Sequence, residues 1–231
     1  MASVAPRNLE LPELLSGASS DDLNVLADLI TDHGKGRVAL DSGVKATIMT
    51  HRSAGRLQAI PKMLDAEIRA FGGNTIANMI RSGSVSYLKL ASDVAKKLGG
   101  KPTASHDLFD IEEMVMRLAI KKYKGEKTFS DHAAMLGQVG QVVKLLVGAA
   151  GTLGGVAAKR GAAALAGALG SRIVTVGAPP VVVALAGISI VQAASPAFRI
   201  TVPAVLQIAK IRRTQYEADF AAYQENLRSC L

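Results

Sequence analysis

A long stretch of small and aliphatic residues constrains the fold of this chain more than any other feature. Residues 139–199 are almost entirely Gly, Ala, Val, Leu and Ile, and residues 173–198 carry no charge. A continuous helix over that uncharged part would be about 39 Å long, against a membrane hydrocarbon core of about 30 Å. Pro179-Pro180 interrupts it, because a proline inside a helix breaks the hydrogen-bond ladder. The stretch therefore predicts an apolar helical hairpin, which we place at residues 145–198.

Two interpretations of this hairpin stay open. Its pieces, at roughly 14 to 18 residues, are shorter than the ~20 residues of an ordinary membrane span, so they suit a buried core or insertion after rearrangement. Small residues four apart, such as Gly151 and Gly155, let helix backbones approach closely. Arg172 would cost about 2.5–3.5 kcal/mol at a bilayer centre unless it snorkels. The glycine density favours the membrane, because Gly costs about 1 kcal/mol relative to Ala in a helix in water.

The positive charge of the chain is concentrated in and just after the apolar stretch. There are 27 Lys and Arg residues against 19 Asp and Glu, a net charge of +8, and no acidic residue occurs at positions 132–216. A basic, acid-free apolar region is typical of proteins that meet an anionic membrane surface. The predicted lipid-headgroup contacts are Lys144, Lys159, Arg160, Arg172, Arg199, Lys210, Arg212 and Arg213. The predicted membrane-contacting residues are Leu145, Leu146, Val147, Leu153, Leu165, Leu169, Val182, Leu185, Ile188 and Ile190.

Cysteine usage and the N-terminus bear on the compartment. Cys230 is the single cysteine, which excludes an intramolecular disulfide and a zinc site built from cysteines. Residues 1–15 contain one Arg and no apolar core, so they do not resemble a secretory signal peptide. We expect a protein that is cytoplasmic as synthesised and that can associate with the inner membrane.

The remaining sequence predicts amphipathic helices rather than strands. Ser19 or Ser20 caps a helix with an apolar face at helical spacing, and residues 33–36 end it. Residues 37–60 give only a weak signal. Further helices are predicted at residues 62–71, 75–81, 85–98, about 106–124 with Ser105 as cap, from 130 into the apolar stretch, and from Val202-Pro203 to about 228. The predicted fold class is all-α, a multi-helix bundle with a Gly/Ala-rich apolar central helical hairpin.

Three regions follow from this pattern. Residues 1–35 are predicted to form an N-terminal helical module, and residues 36–216 a main helical domain that contains the hairpin 145–198. Residues 217–231 are predicted to continue the last helix as a polar C-terminal extension.

Titratable residues form no recognisable catalytic or metal-binding pattern. The four histidines have no partner at metal-ligand spacing, and the Ser-Asp-His run at 130–132 diverges on a helix rather than forming a triad. Asp107 and Asp110, like Glu112 and Glu113, are explained by helix-dipole and surface roles. The basic runs lack the interleaved aromatic residues of a nucleic-acid site. We therefore predict no catalytic residue, metal, cofactor, small-molecule substrate or nucleic-acid partner, and no enzyme.

Two segments go beyond generic helix signals. One reads FGGNTIAN at residues 71–78, followed by Arg81 and Tyr87, and the other reads ITVPAVLQIA at residues 200–209, followed by Arg212-Arg213. Together they resemble the YaaW-like family of bacterial proteins over residues 9–213, and residues 14–31 are similar to the short helical module that often precedes that domain. The motif residues are Phe71, Gly72, Gly73, Asn74, Ile76, Ala77, Asn78, Thr201, Pro203 and Gln207.

The resemblance implies no activity, because the family offers no catalytic residues to carry over. Its domain is sometimes grouped with the ubiquinol–cytochrome c chaperone domain, which implies an assembly-factor role as an alternative. Physically, Phe71 reads as a core anchor before a helix stop, and Pro203 as a first-turn residue of the last helix.

Our leading functional hypothesis is a membrane-associating or membrane-inserting protein that acts through the apolar hairpin and engages anionic lipid. A more specific form of this hypothesis is that the protein forms a pore. The alternative is a soluble protein-binding chaperone or assembly factor, with the hairpin as its buried core. A protein partner, such as an immunity or regulatory protein, is compatible with either hypothesis.

Overall fold

A computed structural model describes residues 7, 9–36, 40–73, 85–125, 128–129, 131–151 and 196–230. Within these ranges the regular structure is helical and contains no strand, which confirms the all-α prediction. Most of the predicted hairpin, residues 152–195, lies outside them. The helices are α1 Leu11–Ser16, α2 Ser20–Thr31, α3 Ser42–Ser53, α4 Pro61–Gly73, α5 Tyr87–Lys97, α6 Leu108–Lys124, α7 His132–Gly151 and α8 Pro196–Ser229, with a 3₁₀ turn at Leu57–Ala59.

Local capping explains where the second helix begins and ends. The Ser19 hydroxyl accepts a hydrogen bond from the backbone N–H of Asp22 at 3.1 Å, as the sequence predicted. At the other end, Asp32 and His33 both adopt left-handed backbone conformations. The chain therefore turns sharply before Gly34, at the predicted stop.

The third helix forms although its sequence has only a weak apolar pattern. Only Ile48 is buried along α3, so the helix has little periodic signal. The Asp41 carboxylate starts it by accepting hydrogen bonds from the N–H groups of Gly43 and Val44, at 2.8 and 3.0 Å. The weak prediction for residues 37–60 thus missed a helix that depends on its cap.

The cap of α6 also differs from the prediction. Asp107, rather than Ser105, is the capping residue, and it exchanges side-chain to backbone hydrogen bonds with Asp110 at 2.9 and 3.2 Å. The Ser105 hydroxyl instead contacts the hydroxyl of Thr103 at 2.8 Å. A reciprocal capping box satisfies two backbone donors at once, which is why it sets the helix start.

Helix α8 is the axis of the bundle. It begins at Pro196, so Pro203 lies inside the helix and the predicted start at Val202-Pro203 is wrong. Residues 200–213 are almost continuously buried, because α1, α2, α4, α5, α6 and α7 all pack against this helix. From residue 214 onward α8 becomes exposed.

One hydrophobic cluster joins the N-terminal helices to the rest. Leu14 of α1 and Leu23 of α2 belong to the same buried cluster as Val115 of α6 and Leu206 of α8. Phe71 is part of this cluster too, as its prediction as a core anchor required. Among the helices in the described ranges, none combines the length and hydropathy needed to cross a membrane.

A matched pair of glycine substitutions tests this packing. At Gly100 an added Cβ would lie 2.8 Å from both Leu118 and Met114 of α6 and 3.0 Å from the Ala95 carbonyl, whereas at Gly137 it would meet nothing within 4 Å. Gly100→Ala should lower the free energy of unfolding by about 1–3 kcal/mol, and Gly137→Ala should raise it by about 0.5–1 kcal/mol. Urea denaturation measures both, and equal effects would contradict the close approach at Gly100.

Candidate functional site

A buried ion pair lies where four parts of the chain meet. The guanidinium Nε of Arg212 in α8 donates to Glu112 Oε2 in α6 at 3.0 Å, and the two side chains are 0% and 2% exposed. The hydroxyl of Tyr87, the first residue of α5, donates to Glu112 Oε1 at 2.9 Å. A second Arg212 nitrogen donates to the carbonyl of Leu9 at 2.7 Å. We call Tyr87, Glu112 and Arg212 the ionic cluster.

The sequence places both charges on inward helix faces. Glu112 follows Leu108 by four residues and precedes Val115 by three, so it shares their side of α6. Arg212 follows Ile208 by four residues in the same way on α8. The prediction of a surface role for Glu112 is therefore wrong. Two opposite charges on apolar helix faces were the available signal that they pair.

Burial controls the protonation of this cluster. It raises the pKa of Glu112 to about 7, against the opposing effects of the Arg212 charge and the hydrogen bond from Tyr87. Burial, helped by the Glu112 charge, also raises the pKa of the Tyr87 hydroxyl well above its usual value. Both carboxylate oxygens of Glu112 are already hydrogen-bonded, and the side chains of Glu112 and Arg212 are buried. Its geometry therefore suits a structural lock rather than a reaction.

A second layer of charge surrounds the Phe109 ring. Arg213 lies over the ring at 4.0 Å and pairs with Glu113, while Arg7 lies 4.8 Å from the ring centre. Arg7 also binds the Asp107 carboxylate at 2.6 Å. Two guanidinium groups thus contact one ring, an arrangement that ties the N-terminal segment to α6 and α8.

A cleft of about 310 Å³ borders the ionic cluster at Tyr87. Its charged lining includes Arg69, which is held by Asp65 at 2.6 Å, and Asp107, which is held by Arg7. Both of these side chains are already paired within the protein, and Glu10 also lines the cleft. Within the part of the chain that the structure describes, no group of three or more His, Cys, Asp and Glu side chains could hold a metal ion.

A polar tie that the sequence motifs did not predict joins α2 to α8. The Asp22 carboxylate accepts hydrogen bonds from Lys210 at 2.6 Å and from Gln207 at 2.7 Å. Burial alone raises the pKa of Asp22, but Lys210, Ser19 and Gln207 together hold that pKa below its usual value. Gln207 was identified only as a motif residue, and its role is to fix α8 against the start of α2.

Helices α7 and α8 pack antiparallel and so hold both ends of the apolar segment. His132 near the start of α7 lies 3.6 Å from Glu217 of α8, and Gly140 lies against Lys210. Residues later in α7 therefore contact residues earlier in α8. Gly151 and Pro196, which flank residues 152–195, consequently lie at the same end of the pair. We call this end the junction.

The predicted lipid contacts divide between surface, core and undescribed residues. Lys144 is exposed and Arg199 half-buried. Arg212 and Arg213 are buried in ion pairs and Lys210 is held by Asp22, so in this fold these three do not face lipid as predicted. Leu145 is half-buried, and Leu146 and Val147 are buried in the core of this fold. Their role as membrane contacts stays a prediction for an inserted state. Lys159, Arg160, Arg172, Leu153, Leu165, Leu169, Val182, Leu185, Ile188 and Ile190 lie outside the described residues.

The structure describes the second motif segment completely but only the start of the first. Thr201 and Gln207 are buried in α8, while Gly72 and Gly73 end α4, close to the predicted stop. The rest of the first motif lies outside the described residues: Asn74, Ile76, Ala77 and Asn78.

These features define an all-α bundle that is held by a buried ionic cluster and interrupted by a long apolar segment. The chain is 30% identical over 223 residues to the UPF0174 protein YaaW of Escherichia coli O157:H7, covering 87% of this chain and 92% of the relative. The homologue from Escherichia coli K12 matches to the same extent. The chain belongs to the UPF0174 (YaaW) family of bacterial proteins, which confirms the resemblance. No family model and no solved structure matches it.

Breaking the ionic cluster should be costly. Above pH 7, where Glu112 is ionised, Arg212→Met leaves its carboxylate buried without a cation, and we expect a loss of about 3–5 kcal/mol in the free energy of unfolding. The matched control is Lys89→Met, which removes an exposed cation from its pair with Asp93 and should cost less than about 1 kcal/mol. Urea denaturation followed by circular dichroism compares the two, and similar losses would contradict the proposed lock.

The raised pKa of Glu112 predicts a pH dependence. The folded protein keeps a proton on Glu112 up to about pH 7, whereas the unfolded chain releases it near 4.5. The stability that this group contributes is therefore fully present below the unfolded pKa and is lost as pH rises through the folded pKa. Relative to Glu112→Gln, the wild type should lose free energy of unfolding across that interval. A difference between the two proteins that is independent of pH would contradict this result.

Proposed function

We propose that this protein associates with membranes through its apolar segment, which the helical bundle presents at the junction. The observation that carries the proposal is the antiparallel packing of α7 and α8. Because the contacts of His132 and Gly140 run in opposite directions along α8, the two helix ends that flank residues 152–195, Gly151 and Pro196, lie at the same end of the helix pair. Neighbouring helix axes lie about 8–10 Å apart, which is the spacing of a helical hairpin.

The charge near the junction supports the same function. Lys144 is exposed two turns before the end of α7, and Arg199 lies in the first turn of α8. No acidic residue occurs at positions 132–216. A basic site beside an apolar segment favours anionic lipid, at about 1 kcal/mol per Lys or Arg near the surface.

The bundle itself is built to stay folded while the segment acts. Helix α8 is fixed by the ionic cluster on one side and by the tie from Asp22 on another. An insertion confined to residues 152–195 would leave both sets of contacts in place. Association of the hairpins of several copies within the bilayer would make a pore, which is the narrower form of the proposal.

The alternative is a protein-binding assembly factor. An open groove lined by Phe71, Tyr87 and Phe109 would favour it, but all three side chains are buried in this fold. An enzyme is the third class, and no observation in the described part of the chain specifically favours it. The membrane proposal is therefore the one that the geometry supports best.

Flotation of the full-length protein with liposomes tests the proposal. We expect binding to anionic vesicles, weaker binding to neutral ones, and loss of binding in the variant Leu185→Glu/Ile188→Glu, because a charge costs several kcal/mol within the bilayer core. The matched control is Leu88→Glu/Ala218→Glu, which places the same two charges at exposed positions of the bundle and should float like the wild type. Circular dichroism verifies that both variants are folded, and dye release from the vesicles reports pore formation.

The outcomes separate the hypotheses. Flotation without dye release would support association but not a pore. Absence of flotation with either lipid would contradict the membrane proposal and direct the search to protein partners. Equal loss in the control variant would show that added charge, rather than the apolar segment, controls binding.

A further inference from the structure

The last part of α8 leaves the bundle and carries an uncovered apolar stripe. Residues 200–213 are almost fully buried, whereas residues 214–229, which we call the C-terminal arm, are mostly exposed. The arm is roughly 24 Å long at 1.5 Å per residue. Phe220, Tyr223 and Leu227 are 47%, 60% and 50% exposed on it. Three large apolar side chains on one short helix indicate an interaction surface.

These side chains follow the spacing of a coiled-coil seam. Tyr216, Phe220, Tyr223 and Leu227 are separated by four, three and four residues, so they occupy successive a and d positions. The stripe continues the core, because the Tyr216 ring lies 5.1 Å from Phe109 and 6.5 Å from Phe220. A single helix of this length is marginal in water, and a partner that covers the stripe would stabilise it.

The charge and position of the arm argue against lipid as the occupant. The arm carries Glu217, Asp219 and Glu225 against one cation, Arg228, so it is acidic where the rest of the chain is basic. An anionic membrane would repel it. The arm also lies at the opposite end of α8 from the junction, since the 34 residues of α8 span about 51 Å.

We propose that the occupant is a second copy of this chain, bound through antiparallel pairing of the two C-terminal arms. The four–three–four spacing reads the same in both directions, so the stripe is complementary to itself about a two-fold axis. In this register Tyr216 packs on Leu227 of the second copy, and Phe220 packs on Tyr223 of the second copy. The two arms pair along their whole exposed length.

The flanking residues fit the same register. Glu217 and Gln224 occupy e positions and Asp219 and Asn226 occupy g positions. In an antiparallel pair Glu217 therefore faces Gln224 of the second copy, and Asp219 faces Asn226 of the second copy. No two carboxylates are opposed across the seam, although the arm is acidic. The register therefore avoids the like-charge repulsion that e and g positions use to exclude wrong pairings.

The bundle selects the antiparallel orientation. Packed helices have axes about 8–10 Å apart, but each α8 is covered by other helices up to residue 213. Parallel arms would bring both bundles to the same level and make them collide. Antiparallel arms place the bundles at opposite ends of the pair.

The oligomeric state of the full-length protein is the first test. Sedimentation velocity should give a concentration-dependent dimer for the wild type and a monomer for Phe220→Glu/Tyr223→Glu. The control is Ala218→Glu/Ala222→Glu, which adds the same charges on the exposed opposite face of the arm and should leave the dimer intact. A monomeric wild type, or a dimer that the stripe variant retains, would overturn the proposal. This test does not use flotation, so its result is independent of the membrane proposal.

The orientation is tested through Cys230, which is exposed and is the one cysteine of the chain. Antiparallel arms separate the two Cys230 residues by roughly 25 Å along the pair, at 1.5 Å per residue over 17 residues. Spin labels at Cys230 should report a distance of that order, and oxidation should give no Cys230 disulfide within the dimer. Ready disulfide formation would show parallel arms and overturn the arrangement proposed here.

Discussion

The pairing of Glu112 with Arg212 is the constraint on which the rest of the bundle depends. Removing two charges from water costs several kcal/mol per ion, and this cost is offset only when the geometry satisfies both partners. Here the carboxylate has a donor on each oxygen, and the guanidinium reaches the backbone of Leu9 as well. A different packing of α6 on α8 would leave a bare charge in the core. Apolar side chains supply most of the favourable free energy of folding. The ion pair therefore contributes mainly by excluding other packings of α6 on α8.

Helix α8 carries three chemically different regions along its length. Its first turns meet the apolar segment at the junction, its middle is buried among six other helices, and its end projects as the acidic C-terminal arm. The ionic cluster and the tie from Asp22 to Lys210 hold the middle. A rigid middle keeps the two ends of this helix about 51 Å apart, so a membrane contact at one end and a second copy at the other do not compete.

The similarity to the family extends over 87% of the chain. The second motif contributes Gln207 to the tie with Asp22, and Arg212-Arg213 follows it directly. In this fold the described residues of the motif thus contribute to the packing of α8. A buried polar contact of this kind fixes how two helices pack, because a polar group left unpaired in the core is costly.

The sequence alone determined the features that depend on near neighbours. The all-α class, the cap at Ser19, the stop after Phe71 and the concentration of positive charge all follow from residues within a few positions of each other. Even there, competition between local signals shifted the start of α6 to Asp107, and α3 was missed because its cap replaces an apolar pattern.

Only the tertiary structure decided which charges are buried and which are exposed. Glu112 resembled a surface residue until α8 placed Arg212 beside it from 100 residues away, and Lys210 resembled a lipid contact until α2 placed Asp22 within 2.6 Å. The exposure of the C-terminal arm likewise depends on where the other helices end. Such outcomes follow from the angles and depths at which helices pack, and spacing within a single helix does not specify them.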